Sequence, residues 1–183
     1  MKLLILNGSP RMKGTTKRAL SLLEESISLN KNDAEIDFYD ISKMKLSACH
    51  NCDGCRRNGG TCVVADDGIF LQEKIFEADT LILGSPVYWW GITAQLKMVI
   101  DKFYSKEEIY FNKKMVKNIG LITVGASEVD NPQYRIIREQ FECICRFLNW
   151  NLMFSKDIAT RDKVDIMEND ILMAEIKDLW KVI

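Results

Sequence analysis

The chain has 183 residues, of which 47% are apolar and 28% charged, and its formal net charge at pH 7 is −1. This composition is typical of one globular domain that buries about two thirds of its unfolded surface. The near-neutral charge argues against a polyanion-binding protein, and no apolar run reaches the roughly 18 residues of a membrane helix. The apolar patch at the amino terminus is too short for a secretory signal, so we expect a cytoplasmic protein without a nucleic-acid or membrane partner.

The first half of the chain alternates predicted strands and helices. The apolar run KLLIL predicts a strand buried on both faces, and an Asn-Gly-Ser-Pro turn ends it. The segment TTKRALSLLEESISLN predicts a helix with Thr15 or Thr16 as N-cap and with its apolar spacing continuing to Leu29. AEIDFYDI predicts a second strand, and DDGIFLQEKIFEA predicts an acid-capped helix that turns Phe70 inward.

The second half continues the alternation. DTLILGS predicts a third buried strand, and AQLKMVIDKFY a helix that buries Phe103. KNIGLITVG predicts the fourth strand, and the next helix opens with Asn131 as cap and Pro132 in its first turn. NLMFSKDI and MENDILMAEIKDLW complete the pattern as a strand and a helix. Five strands alternating with helices predict a three-layer α/β domain over 1–183, with a parallel sheet between two helix layers.

In such sheets, ligands bind beyond the carboxyl ends of the strands, so the loops that follow strands are the candidate sites. The first of these loops, NGSPRMKGTTKRA, runs into a helix whose free N–H groups favour a phosphate. Its glycines, hydroxyls and guanidinium are candidate phosphate contacts: Gly8, Ser9, Arg11, Gly14, Thr15 and Thr16. The loop lacks both the Walker A lysine and a G-x-G-x-x-G run, and an ordinary turn before a helix is the alternative.

Two further loops follow strands. In GSPVYWWGITAQLK, large aromatic side chains at a strand end suggest a flat ring bound by stacking, although they could instead pack into the core or an interface. Its candidate wall residues are Pro86, Val87, Tyr88 and Trp89. In TVGASEVDNPQY, three small residues leave room for a ligand edge: Gly125, Ala126 and Ser127.

A cysteine-rich segment at 48–66 contains four of the six cysteines in a C-x2-C-x2-C-x6-C pattern: Cys49, Cys52, Cys55 and Cys62. The compact spacing favours an iron–sulfur cluster over zinc, which usually takes two separated C-x2-C pairs. A reducing cytosol makes structural disulfides an unfavourable interpretation. The proline that follows the last cysteine of bacterial ferredoxins is missing, since Val63 stands there. The residues leave open whether the thiols bind a cluster or only form a structural loop.

Taken in order, these motifs resemble those of the flavodoxin-like NAD(P)H-dependent FMN reductases, a family that includes the iron–sulfur flavoproteins. The resemblance runs from LNGSPRMKGTT through CHNCDGC…C…DD to LGSPVYWWGITAQLKMVIDKF. It implies a flavodoxin-like fold with sheet order 2-1-3-4-5, FMN as cofactor and a homodimer. Within the family, some members bind a [4Fe–4S] cluster through such a cysteine run, whereas others have a similar loop without one.

The resemblance also implies roles for the loop residues. Ser9, Arg11, Thr15 and Thr16 would hold the FMN phosphate, Pro86 to Trp89 would line the ring, and Gly125 to Ser127 would lie near the ring or the ribityl chain. One departure is that Gly14-Thr15-Thr16 stands where the family often has Gly-Asn-Thr, so we expect rearranged polar contacts there.

Two function classes follow from this resemblance. The first is an enzyme that passes reducing equivalents from NAD(P)H through FMN to a small acceptor such as a quinone, a nitro compound or a flavin. The second is an iron–sulfur flavoprotein electron carrier that receives electrons from ferredoxin. No side chain is an evident acid–base catalyst, because the single histidine, His50, lies among the cysteines. In either class, the flavin supplies the redox chemistry and the protein supplies binding and position.

Overall fold

The structure, a computed structural model, describes residues 1–112, 115–160 and 165–183. Within them, one sheet has five parallel strands in the order β2-β1-β3-β4-β5, which confirms the predicted fold and strand order. The strands are β1 Lys2–Asn7, β2 Glu35–Asp40, β3 Thr80–Pro86, β4 Asn118–Gly125 and β5 Asn151–Ala159. Each predicted strand is present to within a residue or so at either end.

Helices connect these strands and cover both faces of the sheet. They are α1 Thr15–Asn30, α2 Gly54–Arg57, α3 Gly68–Glu77, α4 Ala94–Asp101, α5 Glu107–Asn112, α6 Pro132–Leu148 and α7 Asp170–Asp178. A 3-10 turn, Lys102–Lys106, continues α4 where a single longer helix was predicted. In the part of the chain that is described, no helix is long and apolar enough to cross a membrane.

Alternation along the strands divides the core in two. Leu3 and Ile5 of β1 point toward the layer of α1 and α7, whereas Leu4 and Leu6 point toward the layer of α3, α4 and α6. Because both faces are covered, the central strands β1, β3 and β4 are apolar along most of their length, as the continuous runs predict, whereas the edge strands β2 and β5 carry polar residues as well. Phe103 is buried as predicted, at 8% exposure.

Three local predictions were wrong. The N-cap of α1 is Gly14, in extended conformation, and not Thr15 or Thr16, which lie inside the helix. Leu29 is 73% exposed, because the last buried residue of α1 is Ile27 and Leu29 lies beyond the buried stripe. Phe70 is 44% exposed, because the buried stripe of α3 is set by Gly68, Leu71, Gln72 and Ile75 and leaves the ring outside it.

Candidate functional site

A cleft of about 590 Å³ lies at the carboxyl ends of β1, β3 and β4, where the topology predicts a ligand site. Strands of a parallel sheet end at one edge, so three loops distant in sequence meet there. The structure brings together in this cleft ten of the residues predicted for the cofactor: Ser9, Arg11, Gly14, Thr15, Thr16, Pro86, Val87, Tyr88, Gly125 and Ala126.

Two predicted residues do not line this cleft. Ser127 lies next to it, and its carbonyl accepts a hydrogen bond from the Tyr134 hydroxyl at 2.8 Å. Trp89 is 92% exposed, at the tip of a two-residue turn that it forms with Trp90. Both tryptophans have positive φ, at 48° and 60°, while the residues on either side of the turn exchange two backbone hydrogen bonds of 2.9 and 3.0 Å. This is the hairpin geometry that normally selects Asn-Gly.

The start of α1 forms the floor of the polar end of the cleft. Its N-cap, Gly14, offers no capping side chain, and the first bond within the helix runs from the Arg18 N–H to the Gly14 carbonyl at 3.1 Å. The N–H groups of the first turn therefore have no intrahelical partner and remain for a ligand. A Cβ at Gly14 would meet Arg11 Cβ at 3.0 Å and Ser9 Oγ at 3.5 Å, so the loop closes around a glycine. These features fit the phosphate of a mononucleotide.

The apolar side of the cleft comes from β3 and β4. Pro86 and Val87 are half-buried, and the Val87 N–H donates to the Val124 carbonyl at 2.7 Å, which extends the pairing of the two strands into the loop. The side chains of Val87, Val124 and Tyr88 thus present an apolar edge opposite the polar loop. A cleft with one polar end and one apolar wall fits a flat ring with a phosphate tail.

Sequence analysis missed five residues that line the cleft: Lys13, Arg18, Val124, Thr160 and Asp165. Arg18 lies one turn into α1, so helical spacing from Gly14 could have identified it. It forms an ion pair with Asp165. Thr160 donates through its N–H and its hydroxyl to the Gly125 carbonyl, at 2.8 and 3.1 Å. These last two residues follow β5, and no local pattern marks them.

Hydrogen bonds between residues 45–47 and 66–67 hold the two ends of the cysteine-rich segment together, and we refer to this closure as the neck. Asp67 accepts the Lys45 N–H at 2.7 Å and donates its own N–H to the Lys45 carbonyl at 3.0 Å. Asp66 accepts from the Ser47 N–H at 2.7 Å and from the Gly68 N–H at 2.9 Å. The two aspartates were predicted to cap α3. Asp67 is the N-cap residue but makes no capping hydrogen bond with its side chain, whereas the Asp66 side chain accepts from the Gly68 N–H; both aspartates close the neck.

Within the segment, the four cysteines are free thiols, with Cys49 and Cys52 exposed and Cys55 and Cys62 half-buried. Burial raises the pKa of the Cys55 thiol, and the nearby Cys62 and Cys49 sulfurs raise it further. Four thiols are the donor set that an iron–sulfur cluster takes. Across the described residues, however, no group of three or more His, Cys, Asp or Glu side chains is arranged to hold a metal ion.

Two contacts dock this segment onto the 3-10 turn that follows α4. Lys102 Nζ lies 3.7 Å from Cys62 Sγ, as a weak donor to sulfur. Arg56 Nε donates to the Tyr104 hydroxyl at 2.7 Å, and that hydroxyl donates to Asp53 at the same distance. The cysteines therefore lie on the α3 and α4 side of the molecule and not in the wall of the cleft.

A second concavity, of about 670 Å³, lies between α4 and α6 and is mainly apolar. Phe147, which is 61% exposed, lines it together with Ile100, Ile144 and Leu148. Lys97, Asp101 and Glu107 stand among its polar residues. We refer to this surface as the α4–α6 groove.

Comparison with known proteins gives three consistent findings. The family model described as NADPH-dependent FMN reductase matches residues 1–137. An iron–sulfur flavoprotein of Methanocaldococcus jannaschii is 37% identical over 102 residues, which are 56% of this chain and 51% of that protein. A Bacillus subtilis protein whose name describes an NAD(P)H-dependent FMN-containing oxidoreductase is 30% identical over 158 residues, 81% of this chain and 79% of that protein.

Among solved structures, an NAD(P)H:quinone oxidoreductase from Methanothermobacter marburgensis superimposes with a TM-score of 0.75 at 15% identity, over 98% of this chain and 94% of that one. At this identity, the likeness concerns the fold. The chain spans about half the length of the iron–sulfur flavoproteins that it matches.

Proposed function

The chain belongs to the NADPH-dependent FMN reductase family, and on that premise we propose that it takes reducing equivalents from NAD(P)H and passes them to a small acceptor such as a quinone, a nitro compound or a flavin. The observation that supports this proposal is the cleft beyond β1, β3 and β4, with an uncapped helix start at one end and an apolar wall at the other. FMN, when bound, supplies the hydride and electron chemistry. The protein supplies binding, orientation and a partly dry site.

At the polar end, the proposed phosphate ligands are the first N–H groups of α1 and the hydroxyls of Ser9, Thr15 and Thr16. Ser9 Oγ accepts the Arg11 N–H at 3.2 Å, so its own hydroxyl proton is available to a phosphate oxygen. The Arg11 side chain is exposed at the rim and can add a charge-assisted contact. The positive end of the helix supports the same anion.

At the apolar end, we propose that Pro86, Val87 and Tyr88 hold the ring and that the Trp89 turn covers it from the rim. Gly125, Ala126 and Ser127 would leave room for the ring edge or the ribityl chain. No side chain of the cleft is assigned as an acid–base catalyst, so the contribution of the chain is position and electrostatics.

Flavin titration of the full chain tests this proposal. Thr16→Val removes a hydroxyl at the polar end and should weaken FMN binding about tenfold, the value of a hydrogen bond to a charged group. Thr80→Val is the matched control, because Thr80 is also buried but lies at the start of β3, where its hydroxyl has no hydrogen-bond partner among the residues that the structure describes. Failure of the unaltered chain to bind FMN would refute the proposal, and equal effects of both variants would refute the assigned phosphate contact.

Reductase activity then needs its own assay. The FMN-loaded chain should oxidise NADH or NADPH in the presence of a quinone or nitro acceptor, at a rate that depends on bound flavin. Comparing the two nicotinamides identifies the donor, and an acceptor panel identifies the class that is reduced. Oxidation of NADH and NADPH at a rate that does not depend on bound flavin would argue against this activity.

A second candidate function is an iron–sulfur flavoprotein that accepts electrons from ferredoxin. The observation that favours it is the set of Cys49, Cys52, Cys55 and Cys62, together with relatives whose names state iron–sulfur flavoprotein. Anaerobic purification followed by iron and sulfide analysis tests it. Stoichiometric iron and sulfide that are lost in Cys55→Ser but kept in Cys143→Ser would support a cluster, and a chain without iron would exclude it.

We further propose that the chain is one domain over 1–183 that acts in the cytoplasm as a homodimer, with the α4–α6 groove covered by a second copy. Phe147 of this groove forms an edge-on pair at 5.4 Å with Phe111 of the neighbouring α5, and both rings are exposed. Charges of both signs at the groove suit a self-complementary contact. Sedimentation should give a dimer for the unaltered chain and a monomer for Phe147→Asp; a monomer in both would reject the interface.

A further inference from the structure

A fully buried amide lies directly beneath the phosphate loop. Asn7, the last residue of β1, is 0% exposed in a strand that is otherwise apolar after Lys2. Its Nδ2 donates to Asp40 Oδ1 at 2.9 Å, and its Oδ1 accepts the Ser9 N–H at 3.1 Å. Because an unpaired polar group in this position would be costly, both ends of the amide are fixed by their partners.

The contacts continue from Asn7 into the cleft. Ser9, itself only 3% exposed, accepts the Arg11 N–H on its hydroxyl oxygen at 3.2 Å. Gly8 lies between Asn7 and Ser9, and its carbonyl accepts from the Thr93 hydroxyl at 2.8 Å, which fixes the backbone of the loop on its other side. The position of the Ser9 hydroxyl in the cleft therefore depends on the amide below it.

Asp40, at the end of β2, holds the other end of this chain of hydrogen bonds, which runs from Asp40 through Asn7 to Ser9 and which we call the relay. Its side chain is 10% exposed, with Lys17 Nζ at 3.1 Å and Lys43 Nζ at 3.4 Å. Although burial alone would raise its pKa, hydrogen bonds from Asn7 and Lys17 hold the pKa of this carboxyl below its usual value. An ionised Asp40 can only accept, so Asn7 must turn its NH₂ toward Asp40 and its oxygen toward Ser9.

We propose that Asn7 and Asp40 are positioning residues for the cofactor phosphate, which set the Ser9 hydroxyl and amide without contacting the ligand. The inference rests on the proposed FMN site and adds to it two residues that do not line the cleft. Lys17 links the relay to the first turn of α1, so one carboxylate orients both the loop and the start of the helix.

The test compares FMN with riboflavin, which has the same ring and ribityl chain but no phosphate, on the flavin-free full chain. Asn7→Leu should weaken FMN binding about tenfold to a hundredfold, the cost of disrupting a hydrogen-bonded anion contact, and should change riboflavin binding less than about twofold. Asp40→Asn keeps an acceptor for Asn7, so its FMN loss should be smaller. Asn30→Leu, which removes an amide at the far end of α1, is the control and should change neither affinity.

The outcomes distinguish the positioning role of Asn7 and Asp40 from the proposed FMN site itself. Parallel losses of FMN and riboflavin in the relay variants would mean that they only damage the fold, and would overturn the inference. An unchanged FMN affinity in Asn7→Leu would overturn it as well. If Asn7→Leu does not fold, Asp40→Asn supplies the same comparison of FMN with riboflavin, and its smaller loss should again fall on FMN and not on riboflavin. A chain that binds neither flavin before any substitution would refute the proposed function itself.

Discussion

Lys102 Nζ lies 3.1 Å from Asp66 Oδ2, and the two side chains are only 1% and 4% exposed. Asp66 closes the neck of the cysteine-rich segment, and Lys102 begins the 3-10 turn that follows α4. A buried ion pair thus joins the neck to the helix layer. The remaining capacity of the carboxylate is used by the N–H groups of Ser47 and Gly68, so the charge is both paired and hydrogen-bonded.

Breaking this pair from one side should be strongly destabilising. Lys102→Met leaves Asp66 buried without its cation, so the free energy of unfolding should fall by about 3–5 kcal/mol. Lys74→Met is the control, because Lys74 pairs with Asp37 at the surface, where the side chains are 30% and 40% exposed, and should cost less than about 1 kcal/mol. Urea unfolding measures both. Equal small losses would mean that the Lys102 pair is open to water.

Removing the cysteine-rich segment should leave the flavin site intact. No residue of 48–65 lines the cleft, and the chain on either side of the segment is already held together, since the Ser47 nitrogen lies 2.7 Å from Asp66 Oδ2 and the Asp67 N–H donates to the Lys45 carbonyl at 3.0 Å. Replacing 48–65 by a short Gly-Ser linker should therefore change FMN affinity less than about twofold. Titration with FMN measures this. A large loss would show that the segment forms part of the flavin site and does not merely extend from the fold.

The fold could be predicted because the central strands β1, β3 and β4 are continuous apolar runs and the long helices have periodic apolar positions, and these patterns depend on neighbours in sequence. The cleft could be located because parallel strands end at one edge. Asp165 could not be found, because it reaches the cleft from beyond β5 and pairs with Arg18, 147 residues away in sequence. The Trp89 and Trp90 turn was missed for a related reason: its positive φ angles are imposed by pairing on either side, against the preference of tryptophan.

Replacing Trp90 by glycine should remove the cost of its positive φ angle and so stabilise the backbone of the turn. Trp90 has φ of 60°, a region that costs a residue with a Cβ about 1–2 kcal/mol and glycine almost nothing. Trp90→Ala and Trp90→Gly both lose the ring, so the difference between them isolates the backbone. Trp90→Gly should be the more stable of the two by about 1 kcal/mol in urea unfolding. If Trp90→Ala is as stable, the turn does not hold this conformation in solution.

Alkaline pH should reveal the burial of Lys117, at the opposite edge of the sheet from the cleft. Burial lowers the pKa of Lys117 from 10.5 to about 8, although the charge of Asp79 opposes the shift. Below pH 8, Lys117 is protonated in both the folded and the unfolded state. Between pH 8 and 10.5, only the unfolded state binds this proton. Lys117 therefore makes the free energy of unfolding rise with pH in this range, by at most about 1.4 kcal/mol per pH unit. Lys117→Met abolishes this dependence on pH, whereas the contribution of Cys145, whose pKa is raised by burial, is the same in both proteins. Urea unfolding at several pH values gives the difference, and parallel pH profiles would show that Lys117 is solvated.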